Sequence, residues 1–183
     1  MVFQRSEKKI FISLVDVPKS YIDSDMIEKL SNIFRRRIII QFESLSLDKF
    51  FDPIRDQYHS TEILRYFIFN HSISDGDKKC IIVRKDLFIP ILTFVFGEAH
   101  LNGNYCIVST NRLCERFYDR TPNVEIFKER LLKEIVHELG HTFGLTHCLN
   151  DLCVMHNSFT IEDTDRKSIY PCESCFEKLD EVL

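Results

Sequence analysis

The chain has only five glycines and five prolines in 183 residues, no surplus of positive charge and no long apolar run. Each shortage excludes something. With 44 % hydrophobic and 28 % charged residues, the low Gly and Pro content argues against collagen, low-complexity linkers and disorder, and for one packed domain. A net charge of −4 does not suit a broad, sequence-independent nucleic-acid surface, which needs clustered Lys and Arg. The one basic cluster, Arg35-Arg36-Arg37, falls at the end of an expected helix, where cations meet the carbonyl ends favourably. No window approaches the roughly 20 apolar residues of a membrane span, and residues 1–6 lead into a strand-like run rather than a signal-peptide core. A soluble, cytoplasmic monomer without nucleic-acid or membrane partners is expected. Seven cysteines, an odd number in a chain able to build its own core, make a secreted disulfide framework a poor explanation.

Hydrophobic periodicity supplies the outline of the fold. Lys9 to Val15 reads as a strand, and Ser24 to Phe34 as a helix with Met26, Ile27, Leu30, Ile33 and Phe34 on one face and Asp23 or Ser24 as N-cap. Ile38 to Glu43 is a second strand, and Ser60 to Asn70 a second helix after an irregular stretch from Ser44 to His59. Three more strands are expected at Cys80 to Arg84, Ile91 to Phe96 and Tyr105 to Thr110, the last two as an antiparallel pair. Thr121-Pro122 resembles an N-cap and first helical residue for a long helix from Val124 to Phe143. The fold class is therefore α+β, close to α/β, with a mixed sheet of about five strands flanked by helices. Cys80, Cys106 and Cys114 lie in apolar surroundings as small core residues.

The sharpest signal is His137-Glu138-Leu139-Gly140-His141-Thr142-Phe143-Gly144-Leu145-Thr146-His147. Residues four apart on a helix differ by about 40° in direction and about 6 Å in height, so His137 and His141 can share one ion. Gly144 can supply a left-handed turn that brings His147 round as third ligand. Three neutral imidazoles on Zn²⁺ leave a fourth position for water, and Glu138, adjacent but angled away from the ion, can act on that water as general base. Such a layout is that of a hydrolase. A chance H-E-x-x-H is common, but adding the Gly and the third His lowers an accidental match to about one in 10⁵ per chain.

A second constellation follows at once. Cys148-x4-Cys153 and Cys172-x2-Cys175 are two pairs with chelating spacing, and four thiolates in tetrahedral array make a closed, structural zinc site. Two disulfides are the competing reading; in a reducing compartment a C-x2-C pair more often holds metal. Glu162, Asp163, Asp165 and Glu173 against Arg166 and Lys167 make this region unsuited to phosphate. His156 has no role in either site, and His59, His71 and His100 carry no spacing signal.

The zinc signature running directly into Cys148-x4-Cys153-x-Met155 and Cys172-x2-Cys175 resembles the archaemetzincins, a family of metzincin peptidases. Arg55-Asp56-Gln57-Tyr58, Val95-Phe96-Gly97-Glu98-Ala99 and Ser109-Thr110-Asn111-Arg112-Leu113 are similar to the same family, so the resemblance covers most of the chain from about residue 10. It implies a compact metzincin-type fold, a twisted mixed sheet over the active-site helix, with residues 1–183 as a single metallopeptidase domain. Residues 1–144 would form an N-terminal subdomain ending in that helix, and residues 145–183 a small zinc-bound C-terminal subdomain. Met155 would be the Met-turn residue beneath the three histidines, and Ile91 to Ala99 the sheet edge to which a peptide substrate adds as a strand. The interval from Met155 to Cys172 is one residue shorter than the family pattern and falls in an expected loop. Two zinc ions per chain are implied, one catalytic and one structural. The alternative function is a catalytically weak or inactive, zinc-stabilised peptide-binding module.

Overall fold

A computed structural model describes residues 7–183; residues 1–6 of the expected lead-in lie outside the described residues. In chain order the first elements are β1 (Lys9–Val15), α1 (Ser24–Phe34), β2 (Arg37–Glu43), β3 (Phe51–Asp52), β4 (Gln57–His59), α2 (Ser60–Asn70), β5 (Lys78–Val83) and β6 (Leu87–Phe88). There follow β7 (Gly97–Ala99), β8 (Tyr105–Ser109), α3 (Val124–Thr142), α4 (Ile161–Arg166) and α5 (Glu173–Asp180). No helix among the described residues is long and apolar enough to cross a membrane.

Five strands form one mixed sheet in the order β2-β1-β5-β8-β7. The first four are mutually parallel and β7 closes one edge antiparallel to β8. Every residue of β5 and β8 is buried, as a parallel sheet covered on both faces requires. Helices α1 and α3 share one core with Ile10, Ile12, Leu14 and Cys80, while α2 covers the opposite face against Ile81, Val83 and Ile107. Helix α1 begins at Asp23, whose Oδ1 accepts from the Met26 N–H at 2.9 Å, and ends at Arg35 in the left-handed region.

Four sequence expectations shift. Helix α3 is capped by Asn123, not Thr121: the Asn123 Oδ1 accepts from Glu125 and Ile126 N–H at 3.0 and 3.1 Å. Ile91 to Phe96 forms no strand; of this stretch only Val95 makes an isolated bridge, to Leu87, and the edge strand is Gly97–Ala99. The carbonyls of Leu92 and Thr93 are taken by the Arg55 and Gln57 side chains instead of a neighbouring strand. The irregular stretch before α2 contains β3 and β4, which join β6 in a small second sheet. Strands of two or three residues are too short for alternation to reveal. The interval between Met155 and Cys172 also holds α4, with a Thr160–Asp163 capping box, where a loop is expected.

Candidate metal centre and active-site cleft

Helix α3 runs beneath the sheet with polar groups buried along its length, among them Arg130, Lys133, Glu134, His137 and Glu138. Its end is a Schellman turn. The Leu145 N–H donates to Gly140 O and the Gly144 N–H to His141 O, both at 3.0 Å, with Gly144 at φ +90°. Only a residue without Cβ takes that conformation without strain. The turn reverses the chain so that His147 comes back to the helix end, its ring centroid 4.9 Å from that of His141 and 5.4 Å from that of His137.

Each helical imidazole is fixed by its outer nitrogen. His137 Nδ1 donates to Val154 O at 2.8 Å and His141 Nδ1 to Leu145 O at 2.7 Å, which leaves both Nε2 lone pairs facing inward, 3.1 Å apart. Two nitrogens bound to one tetrahedral zinc stand about 3.3 Å apart. One nitrogen from each of His137, His141 and His147 falls within 4.8 Å of the others. Burial pushes all three imidazoles below their ordinary pKa, with the charge of Lys167 adding to the shift, so they sit in the neutral form that binds metal. The donor set and its outer hydrogen bonds fit a zinc ion.

Met155 is buried against the same helix. A Cβ placed on Gly140 would meet the Met155 sulfur at 2.5 Å, so the glycine between the two helical histidines allows the thioether to press against the helix. Glu138 is buried on the same helix, and burial, followed by the neighbouring carboxylates Glu134 and Glu98, pushes its carboxyl well above the usual range. The three histidines and Glu138 line a cleft of about 440 Å³ whose opposite wall is residues 92–99, with Phe159 at its mouth.

The four cysteines converge next to it. Sulfurs of Cys148, Cys153, Cys172 and Cys175 lie within 4.8 Å of one another, and Cys148 and Cys172 are 3.8 Å apart. That is about the sulfur–sulfur spacing around tetrahedral zinc, and all four cysteines are free of disulfides. The Cys172 N–H donates to Cys153 Sγ at 3.2 Å, and a backbone N–H from Cys175 lowers the Cys172 thiol to about 7. Cys172 also caps α5. Cys80 and Cys106 are buried register partners on β5 and β8, as their apolar surroundings lead one to expect.

Sequence reasoning missed the buried ion pairs around α3. Lys167, from the end of α4, has a side chain with 0 % exposure and donates at 3.2 Å both to Glu134 Oε1 and to the carbonyl of His156, next to Met155. Arg130 pairs with Asp165 and Glu115. Lone charged residues at long sequence separation carry no spacing signal.

A parallel sheet with one antiparallel edge strand, set over a helix whose histidines converge with a third from the following turn, defines the class: a zinc metallopeptidase. The model of Peptidase family M54 matches residues 4–181. The archaemetzincin of Pyrococcus horikoshii is 45 % identical over 147 residues, 76 % of either chain. Among solved structures, the archaemetzincin of Methanopyrus kandleri is similar with a TM-score of 0.83 and 31 % identity, covering 99 % of this chain and 98 % of its own. That of Archaeoglobus fulgidus, complexed with malonate, gives 0.76 and 34 %, covering 93 % and 99 %. The chain belongs to peptidase family M54, the archaemetzincins.

Proposed function

We propose that this protein hydrolyses peptide bonds with His137, His141 and His147 holding a catalytic zinc and Glu138 as general base. Cys148, Cys153, Cys172 and Cys175 hold a second, structural zinc, so that residues 1–183 form one domain with a zinc-bound tail from residue 145. The observation that carries the reading is the inward convergence of three neutral imidazoles beside a buried carboxyl in an open cleft. Zinc bound there supplies a Lewis acid and lowers the pKa of a water to about 7.

The chain's own residues do the rest. Val154 and Leu145 carbonyls orient the two helical imidazoles, and Glu138 takes a proton from water and holds it on its carboxylate until the leaving amine needs it. Substrate pairing follows from the register of β7. The bonds that flank it, Ser109 N–H to Phe96 O and His100 N–H to Tyr105 O, set the alternation with β8 so that Glu98 faces the ladder and Gly97 and Ala99 turn their N–H and C=O groups to the open edge, where an extended peptide can add as a strand.

Metal analysis should return two zinc ions per chain. A peptide library should be cleaved by the wild type and about 10³-fold more slowly by Glu138→Gln at equal zinc content. Equal rates would remove Glu138 from the mechanism, and binding of peptides without any cleavage would leave the protein a zinc-stabilised binding module.

A further inference from the structure

The cleft wall opposite α3 has an unusual support. From Ile89 to Val95 the backbone makes only a Leu92 N–H to Ile89 O turn bond and the Val95 bridge to Leu87 O. Two of the intervening carbonyls, those of Leu92 and Thr93, are held by side chains. Arg55 Nη1 donates to Leu92 O at 3.0 Å while its guanidinium lies over the Phe88 ring, 4.4 Å from the centroid. Gln57 is buried and its Nε2 donates to Thr93 O at 3.0 Å and to Asp86 Oδ2 at 2.9 Å. Both partners are acceptors, so the amide can face only one way. Asp86 is in turn gripped by Arg112 through two bonds of 2.6 and 2.8 Å, and Arg112 lies over Phe94 at 4.1 Å.

We propose that Gln57 and Arg55 are positioning residues which, through the Thr93 and Leu92 carbonyls, hold this wall at the distance from α3 that selects substrate side chains. Neither is among the metal-ligand groups, and both belong to Arg55-Asp56-Gln57-Tyr58, a stretch whose role the zinc sites leave unexplained. The segment they hold contributes Leu92, Thr93, Phe94 and Val95 to the cleft, a largely apolar surface against which an apolar side chain of a bound peptide can lie. A wall pinned by two side chains, with almost no ladder of its own, moves when either is lost. The inference rests on the peptidase reading for its consequence, but the pinning is measurable without activity.

Hydrogen exchange on zinc-loaded wild type, Gln57→Leu, Arg55→Ala and Arg55→Lys reads the pinning. The Leu92 and Val95 amides, the hydrogen-bonded N–H groups of this segment, should exchange roughly tenfold faster in Gln57→Leu and Arg55→Ala, with α3 and zinc content unchanged, and Arg55→Lys should restore much of the protection. Arg55 is exposed, so its variants fold even if the buried Gln57 substitution does not. In a Glu138→Gln background, matched leucine- and glycine-bearing peptides read selection. The wild-type wall should prefer leucine, and Arg55→Ala should reduce that preference several-fold while affinity for acetohydroxamate, a metal ligand with no side chain to lay on the wall, stays constant. Unchanged exchange in both variants overturns the pinning. Faster exchange with an unchanged leucine preference overturns its role in selection. A wild type that binds no peptide at all overturns the peptidase reading and the selection with it, while the exchange result still decides the pinning.

Discussion

Below the cleft, the functional groups are fixed by several separate devices: His137 and His141 by backbone carbonyls, the end of α3 by a Schellman turn, Met155 by its seat on Gly140, and the tail by four clustered cysteines and the Lys167–Glu134 pair. Above the cleft, residues 89–95 hang from two side chains and one bridge. Reaction geometry tolerates little displacement, so redundancy belongs with the metal ligands. A wall that meets varied side chains can be held more lightly. Damage to the floor is therefore expected to cost stability and metal together, and damage to the wall to cost activity alone.

The largest effect expected is that of Cys172→Ala. It removes one of the four clustered sulfurs proposed above to hold the structural zinc, at the N-cap position of α5, and Cys148 of the same group is adjacent in sequence to His147. Metal content should fall from two ions towards one, the remaining ion should bind more weakly, and the melting temperature should drop by roughly 10 °C or more. Full affinity for the remaining zinc with an unshifted melting curve would show that the two centres are mechanically independent. Next comes Lys167→Met, which strands Glu134 at 3 % side-chain exposure. Breaking such a buried pair costs about 3–5 kcal/mol, or on the order of 10 °C, and adding Glu134→Gln should recover most of it. A single variant as stable as the double would mean that the pair does not hold α4 to α3.

Gly97→Ala tests the other side of the comparison. A Cβ there would sit 2.6 Å from the Glu138 Cγ and Oε1, and 2.7 Å from Ile107 O. Glu138 must move, so kcat/KM should fall about 10²-fold while the melting temperature falls by only a few degrees. Retained activity would place the working carboxylate elsewhere.

This division also governs what the sequence discloses. The floor is written locally: histidines four apart, a glycine three residues on, and cysteine pairs are each within one or two turns of chain, and they stand in space as their spacing implies. Strands β1, β5 and β8 were legible because apolar runs mark a sheet covered on both faces, and edge strand β2, only partly buried, because of its Ile38-Ile39-Ile40 run. The upper wall was not, since Ile91 to Phe96 has the composition of a strand and is denied a ladder by Arg55 and Gln57, more than 30 residues earlier. Lys167 and Glu134 stayed hidden for the same reason, because two ordinary surface residue types become a buried pair only once α4 folds onto α3.

Lys78 gives the smallest effect, at the seam between floor and sheet. Its ammonium reaches from β5 to Thr142 O at the C-terminal end of α3, at 2.8 Å, and to Gly103 O and Asn104 Oδ1 at 2.6 and 3.1 Å. A cation there complements the helix dipole, yet burial, and then the nearby Arg36, lower its pKa to about 8. Between pH 8 and the ordinary lysine value the unfolded chain consequently binds more protons than the folded one, and this group's contribution to stability rises with pH across that window. Lys78→Met lacks the titration. The wild type should gain stability over Lys78→Met as pH rises from 8 to 10, by a few degrees in melting temperature, with no change in their difference between pH 6 and 7. A difference that shrinks over that range would mean that the three oxygens hold the ammonium charged against its burial, and that the seam is cemented by the ion.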